Sequence, residues 1–387
     1  MPAGHDIWAV RIHSERAERL SKPALLLLGG IHARELASTE IVLKLIRWLA
    51  EGYEKNPEVR TLLETRRVWA VPLLNPDGRE YVFETDPWWR KNRHRHAGAG
   101  NIGVDLNRNF PFFWSSELGA STVPSSAVYH GTMPLSEPET QALAALVDRV
   151  HPTASLSFHS YGQYALVPFG YPVRLLDDSG VIRTLGAMLG ESTGYQVGTV
   201  GQLLGYWSSG RHDDWMYGSK GVLAFELELG RTFFPERAEL EELGSVAGRA
   251  TGVLARACGS WPEATLEMRI PHSPSAAEVL IPQPAQGQRA GELRVAEVDL
   301  VFRNRGVDDA IQVRWELDGG EAGVVARPAS GVVALVPGLR RARQEPVRVP
   351  LRLSTPGWRG ELQFTLIHDG CARRMSLAMP SGAQLTE

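Results

Sequence analysis

The sequence predicts two folds in one chain. Residues 1–260 read as an α/β domain with a mixed, mostly parallel twisted sheet flanked by helices, and residues 265–387 as an all-β sandwich. Three observations predict this. Through the first part, short apolar runs alternate with helical patterns, as strands joined by crossover helices do. Several runs are apolar on both faces, such as Ala24–Leu28 (ALLLL), which suits strands covered by helices on both sides. Near residue 260 the texture shifts to SWPEATLEMRIPHSPSAAEVLIPQPAQGQ, which has no sustained helical period, and short alternating runs recur beyond it.

The elements follow in order. Residues 7–12 and 24–29 read as strands. After Ser38, Ile41, Leu45, Trp48 and Leu49 fall three and four apart, a helical spacing. Asn56-Pro57 opens a second helix with a cap residue and a proline in the first turn. Residues 67–74 read as a buried strand ending in the turn Asn75-Pro76-Asp77-Gly78. Ser136-Glu137-Pro138-Glu139 reads as a capping box before a helix to about Val150. Strands are expected at 154–159, 164–169 and 222–228, with helices between and after them. In the second part the strand candidates are Glu297–Phe302, Ile311–Leu317, Val347–Leu353 and Glu361–Ile367, separated by turns such as Asp318-Gly319-Gly320 and Pro356-Gly357.

At 387 residues and 43% hydrophobic composition, the chain is long enough for two cores. A net charge of −3 argues against nucleic acid or an anionic membrane as partner. No run approaches the roughly 18 apolar residues of a membrane span. The N-terminal residues lack the apolar core of a signal peptide, so the expectation is a cytoplasmic protein, or a secreted one whose leader has been removed. Two cysteines, Cys258 and Cys371, cannot be the main brace. A bridge between them would need a close approach that sequence does not show.

His32 and Glu35 follow the run Ala24–Leu28 and a Gly29-Gly30 turn, and His159 closes a second apolar segment, Leu156–Phe158. Two histidines and one carboxylate leave the fourth position of a zinc ion open to water, as catalytic sites do. An HxxE spacing alone is weak, since any helix or loop yields one by chance. The strand-Gly-Gly context and the segments between the ligands strengthen it. In GVDLNRNF, Asn107 and Arg108 are either a solvated turn or a carboxylate clamp, because a guanidinium fork binds a carboxylate bidentately. Arg90 follows two tryptophans. His94 and His96 alternate like metal ligands but read as surface histidines, and RKNRHRH is too short for an RNA-binding reading. Glu226 lies mid-strand among Leu223, Phe225 and Leu227, on the same face as Glu228. A carboxylate there is either salt-bridged or used as a base.

With GIHARE, NPDGREYVFETDPWWRKNR, GVDLNRNF, YHGTMPLSEPET, SFHSYGQY, GYWSSGRHDDW and LAFELEL in one order, the chain resembles the carboxypeptidase A/B-type zinc metallopeptidases over about residues 6–255. The resemblance implies one zinc ion per chain on His32, Glu35 and His159. It implies Glu226 as general base and Arg90 as stabiliser of the developing oxyanion. Asn107 and Arg108 would hold the substrate's terminal carboxylate, with Arg34 as an accessory arginine. Tyr206 falls on the mobile capping tyrosine and Tyr161 on a tyrosine lining the cleft. Asp213 falls on the pocket-floor position, where aspartate accompanies preference for C-terminal Lys and Arg; the bland alternative is that it caps a short helix.

Three features depart from the family. The chain starts at the family's second strand, so one edge strand of an eight-stranded type of sheet, the preceding helices and an inhibitory pro-segment are expected to be missing. Glu228 stands where the digestive enzymes carry a basic residue. The β-domain resembles the small one of the regulatory carboxypeptidases but is longer.

The expected function is therefore hydrolysis of the last peptide bond of peptides or proteins. Three rivals remain: an aspartoacylase-type N-acyl amino acid deacylase, a cell-wall peptide hydrolase, and a silent binding protein whose working part is the β-domain.

Overall fold

A computed structural model describes residues 4–15, 22–95, 103–116, 118–172 and 179–259, together with the strands of the C-terminal part. The chain divides into two compact units, residues 1–259 and 260–387.

The first unit holds a seven-stranded mixed sheet ordered β1-β3-β2-β4-β7-β5-β6. Its strands are β1 (Val10–Ile12), β2 (Ala24–Leu28), β3 (Arg67–Val71), β4 (Ala154–Ser160), β5 (Tyr164–Leu166), β6 (Gln196–Gly198) and β7 (Leu223–Leu229). The centre, β3-β2-β4-β7, is parallel, whereas β1 and β5 run antiparallel to their neighbours β3 and β7. The helices are α1 (Leu36–Lys55), α2 (Pro57–Thr65), α3 (Pro76–Glu84), α4 (Pro138–Val150), α5 (Ser179–Thr193), α6 (Val200–Leu203), α7 (His212–Lys220) and α8 (Arg237–Ala257).

The apolar runs are buried as their composition requires. Leu25, Leu26, Leu27 and Leu28 are all fully buried, each a gain of about 1.5–3 kcal/mol over exposure. One face of the sheet packs Leu26 and Leu28 with Leu143 and Val147 of α4 and Trp215 and Met216 of α7. Among the described residues, no helix is long and apolar enough to cross a membrane.

Several expected boundaries move. The edge strand β1 is short, with Trp8 at 72% exposure, because only residues 10–12 find partners on β3. Asn75-Pro76-Asp77-Gly78 starts a helix rather than a plain turn: Asn75 Oδ1 accepts from Gly78 N and Pro76 sits in the first turn. Asn56 caps α2 as expected, accepting from Glu58 and Val59. The capping box at Ser136 does not form. Residue 137 is the cap position of α4, and the Ser136 hydroxyl is spent on Glu137 Oε1 and Asn109 Nδ2. Cys258 is a buried thiol rather than half of a bridge.

In the second unit, β8 (Pro262–Met268), β9 (Arg294–Asn304), β11 (Val325–Arg327) and β13 (Val347–Thr355) form one antiparallel sheet, ordered β11-β13-β9-β8. The strands β10 (Ala310–Asp318), β12 (Ser330–Val336), β14 (Leu362–His368) and β15 (Cys371–Leu377) form another, ordered β12-β10-β14-β15. Three of the four strand candidates fall inside these elements and the fourth from residue 362 onward, residue 361 lying outside the described residues; β8, β11, β12 and β15 are additional. The turns expected at Gly319-Gly320 and Pro356-Gly357, and most of the Pro-rich segment after 268, lie outside the described residues.

Candidate active site

Parallel pairing of β2 with β4 sets the loop after Gly30 beside the end of β4, and three side chains meet there. Glu35 Oε1 lies 2.8 Å from His32 Nδ1, and Oε2 lies 3.0 Å from His159 Nδ1. The two Nδ1 atoms are 3.1 Å apart, and all three residues are buried. Two ring nitrogens and a carboxylate aimed at one buried point are the donor set of a zinc ion with an open position. His32 Nε2 faces Asp105 Oδ1 at 3.3 Å, so a carboxylate backs one ligand and favours Nδ1 as its donor atom. Burial pushes the Glu35 carboxyl up, but His32 and His159 outweigh it and hold it below the carboxylate range. Burial pushes His159 down, yet Glu226 and Glu35 raise it to about 9, so a metal would have to displace a proton there.

Asp105 is a hub that the sequence reading missed, although it stands two residues before Asn107 in the same motif. Besides facing His32, it accepts from Arg90 Nε at 3.0 Å and from Asn107 N at 3.0 Å. Burial alone would raise its carboxyl, but Arg90 and Arg108 keep it well below its ordinary range. Arg90 makes no hydrogen bond from either terminal nitrogen among the described residues; Nη1 lies 3.8 Å from Glu35 Oε1.

The Asn107–Arg108 turn is a buried single-turn helix, so these side chains are not solvated. Asn107 Oδ1 accepts from His212 N at 3.1 Å and faces His212 Nδ1 at 2.8 Å, while His212 Nε2 faces the Ser157 hydroxyl at 2.9 Å. Burial holds His212 down near 4, so it is neutral, donates from Nδ1 and leaves Asn107 Nδ2 as the outward donor. Arg108 does not offer its whole fork. Nε donates to Gly119 O at 2.8 Å and Nη1 to Asn107 O at 2.7 Å, which leaves Nη2. Gly210 has φ +68°, and a Cβ there would stand 2.3 Å from Arg108 O, so glycine lets this chain pass close behind Arg108.

Arg34 donates to Trp88 O at 3.2 Å and stacks over the Phe233 ring at 4.5 Å. Tyr161 meets the same ring edge-on and is 48% exposed. Tyr206 is also about half exposed and stands near Arg90 and Arg108. His94 is bound to Glu137 at 2.7 Å and takes no part in the ligand group; His96 lies outside the described residues.

The two glutamates of β7 differ in their surroundings. In register, Glu226 pairs with Ser157 and Glu228 with His159. Glu226 is fully buried and its Oε2 accepts from Arg211 Nη2 at 2.8 Å, with Asn107 Nδ2 at 3.5 Å. Burial pushes its carboxyl up, but Arg211 and the histidines bring it down to about 2. Glu228 keeps partial exposure, and its buried Oε2 has no hydrogen-bond partner among the described residues. Burial and the charges of Glu226 and Glu35 raise it to about 8. Ligand atoms of His159, His212 and Glu226 also cluster, but both ring nitrogens of His212 are engaged and Arg211 already sits on Glu226. A second cation does not fit.

Asp213 is buried and bonded at both oxygens by Arg211, so it is not the unpaired pocket carboxylate the sequence led us to expect. It does not cap α7 either: the cap position is Arg211 and no side chain bonds the helix end. The neighbouring Asp214 instead accepts from the backbone N–H groups of Gly170 and Tyr171. Arg211 and His212 stood in the GRHDDW segment without a signal that set them apart.

The sequence model of a family described as zinc carboxypeptidase matches residues 2–247. Similar curated proteins include carboxypeptidase O of Bos taurus, 36% identical over 194 residues, 48% of this chain and 51% of that protein. Carboxypeptidase B of Rattus norvegicus is 33% identical over 241 residues, 60% of this chain and 56% of that one. The chain spans about half the length of the curated relatives it matches. Among solved structures, thrombin-activatable fibrinolysis inhibitor matches with a TM-score of 0.61 and 29% identity, over 66% of this chain and 67% of that one. The bovine form, solved in complex with tick carboxypeptidase inhibitor, gives 0.56 and 30%, over 64% and 84%.

Proposed function

The chain belongs to the zinc carboxypeptidase family, and from that premise we propose that it hydrolyses the C-terminal peptide bond of peptides or proteins. The observation that carries this is the convergence of His32 Nδ1, Glu35 and His159 Nδ1 on one buried point. A zinc ion held by the three ligands supplies Lewis-acid activation of water and of the scissile carbonyl. The chain's own residues do the rest. Asn107 Nδ2 and Arg108 Nη2 hold the terminal carboxylate and so register the last peptide bond against the ligands. Arg90, fixed through Nε by Asp105, keeps its terminal nitrogens for the developing oxyanion. Tyr206 covers the bound end, and Arg34 and Tyr161 line the approach.

We assign the general base to Glu228 in place of Glu226. A base must reach the attacking water, and Glu228 stands in register with the ligand His159, partly exposed and with one oxygen unbonded. Glu226 lies two pairs deeper and is held by Arg211. With the charge of a bound zinc ion beside it favouring its ionised form, Glu228 would take the water's proton and pass it to the leaving amine, which balances the reaction.

We read the second unit as an all-β sandwich. In support, the buried rings of Phe302 on β9 and Phe364 on β14, in different sheets, lie 6.3 Å apart.

The test is to incubate the zinc-loaded protein with peptides differing only in the last residue, their C-terminal amides, and N-acyl amino acids, followed by mass spectrometry. Loss of single residues from free ends is the expected result. Cleavage of the N-acyl amino acids alone would replace the peptidase with a deacylase.

A further inference from the structure

Arg211, Asp213 and Glu226 form a closed charge cluster next to Ser157 and His212. Arg211 Nε donates to Asp213 Oδ1 at 2.9 Å, and Nη2 donates to Asp213 Oδ2 at 3.0 Å and to Glu226 Oε2 at 2.8 Å. None of the three is more than 3% exposed. Gly170 makes the berth, since a Cβ there would stand 2.5 Å from Arg211 Cδ and 2.9 Å from Nε. The guanidinium meets Asp213 edge-on through two parallel bonds, the geometry by which any guanidinium recognises a carboxylate. Both oxygens of Asp213 are thereby used within the protein.

Resting on the reading of the chain as a carboxypeptidase with Asp213 at the floor of the pocket for the substrate's last side chain, we propose that Arg211 is a specificity-determining residue. It is an internal counter-ion that stands where a basic substrate side chain would stand. A Lys or Arg side chain entering the pocket would have to displace a guanidinium held by three charge-assisted bonds, or lie beside it as a like charge. The wild type therefore removes neutral C-terminal residues at least as fast as Lys or Arg. The carboxylates that could receive a basic side chain, Asp213 and Glu226, are present but already taken by Arg211.

The experiment compares kcat/KM of the zinc-loaded wild type and Arg211→Gly on two peptides ending in Lys or Leu. Thermal shift is measured in parallel with millimolar guanidinium chloride. We expect the Lys:Leu ratio to rise at least about 30-fold in the variant, the low end for a desolvated charge pair. Guanidinium should stabilise the variant, by filling the vacated berth, and leave the wild type unchanged. A smaller rise, a wild type that already favours Lys, or no guanidinium effect overturns the proposal. If Arg211→Gly does not fold, Asp213→Asn carries the test. It leaves Arg211 with one carboxylate, so kcat/KM for a peptide ending in Glu should rise at least tenfold relative to Leu, and no such rise overturns the proposal. A wild type that cleaves neither peptide removes the peptidase reading itself. One that cleaves both with the wrong preference removes only the role of Arg211.

Discussion

Replacing each β7 glutamate by glutamine separates base from scaffold, because the exchange keeps shape and removes only the charge. Among the described residues Glu228 Oε2 has no hydrogen-bond partner to lose, so Glu228→Gln should fold as well as the wild type. Its kcat should fall by about 10²–10⁴, the contribution of a positioned general base, with KM little changed. Glu226→Gln acts on a different quantity. Arg211 loses one of three charged bonds but keeps both to Asp213, so the buried guanidinium is not left alone. The expected cost is about 1.5–3 kcal/mol of stability, that of one hydrogen bond to a charged group, with kcat reduced less than about tenfold. Initial rates on a peptide ending in Leu, with thermal denaturation of the same zinc-loaded samples, read both effects. A large kcat loss in Glu226→Gln at intact stability, with Glu228→Gln nearly as active as the wild type, would return the base to Glu226 and refute the argument from register and burial.

Three further outcomes are expected. Elemental analysis should find one zinc per chain, and a chelator should abolish hydrolysis while circular dichroism keeps the native signal; full activity without a bound transition metal would sink the site. Arg108→Ala should cost substrates with a free C-terminus about 2–5 kcal/mol in kcat/KM and leave amidated ones unaffected, whereas an unchanged ratio of free to amidated cleavage would remove the clamp. In the metal-free protein, Glu228 holds its proton up to about 8, while an unfolded glutamate releases it near 4.5. The native state then binds more protons than the unfolded one, so this residue lowers stability as pH rises across that window, by at most about 1.4 kcal/mol per unit. Glu228→Gln should match the wild type's melting temperature at pH 4 and exceed it at pH 8; equal curves at both would place Glu228 in a more polar setting.

What the sequence disclosed follows from the kind of signal each feature leaves. Ala24–Leu28 and Leu223–Leu229 announce buried strands because burial on both faces demands apolar residues at every position, apart from the two glutamates. The group of candidate metal ligands was legible because two of them lie within one short loop and the third stands near a strand end. Boundaries were less so. Whether Asn75-Pro76 starts a helix or closes a turn depends on a cap bond to Gly78 that the same residues could forgo. The choice between Glu226 and Glu228 could not be made at all from spacing. Period two puts both on one face, and the residue that separates them, Arg211, arrives from another part of the chain. The same side chain alters the meaning of Asp213, which as a letter in GRHDDW promises a free pocket carboxylate and in the fold is already neutralised. A charge in a motif carries a function only after its partners are known, and in this pocket the partner lies two residues before it, on the turn into α7, where an arginine would ordinarily be counted as solvated.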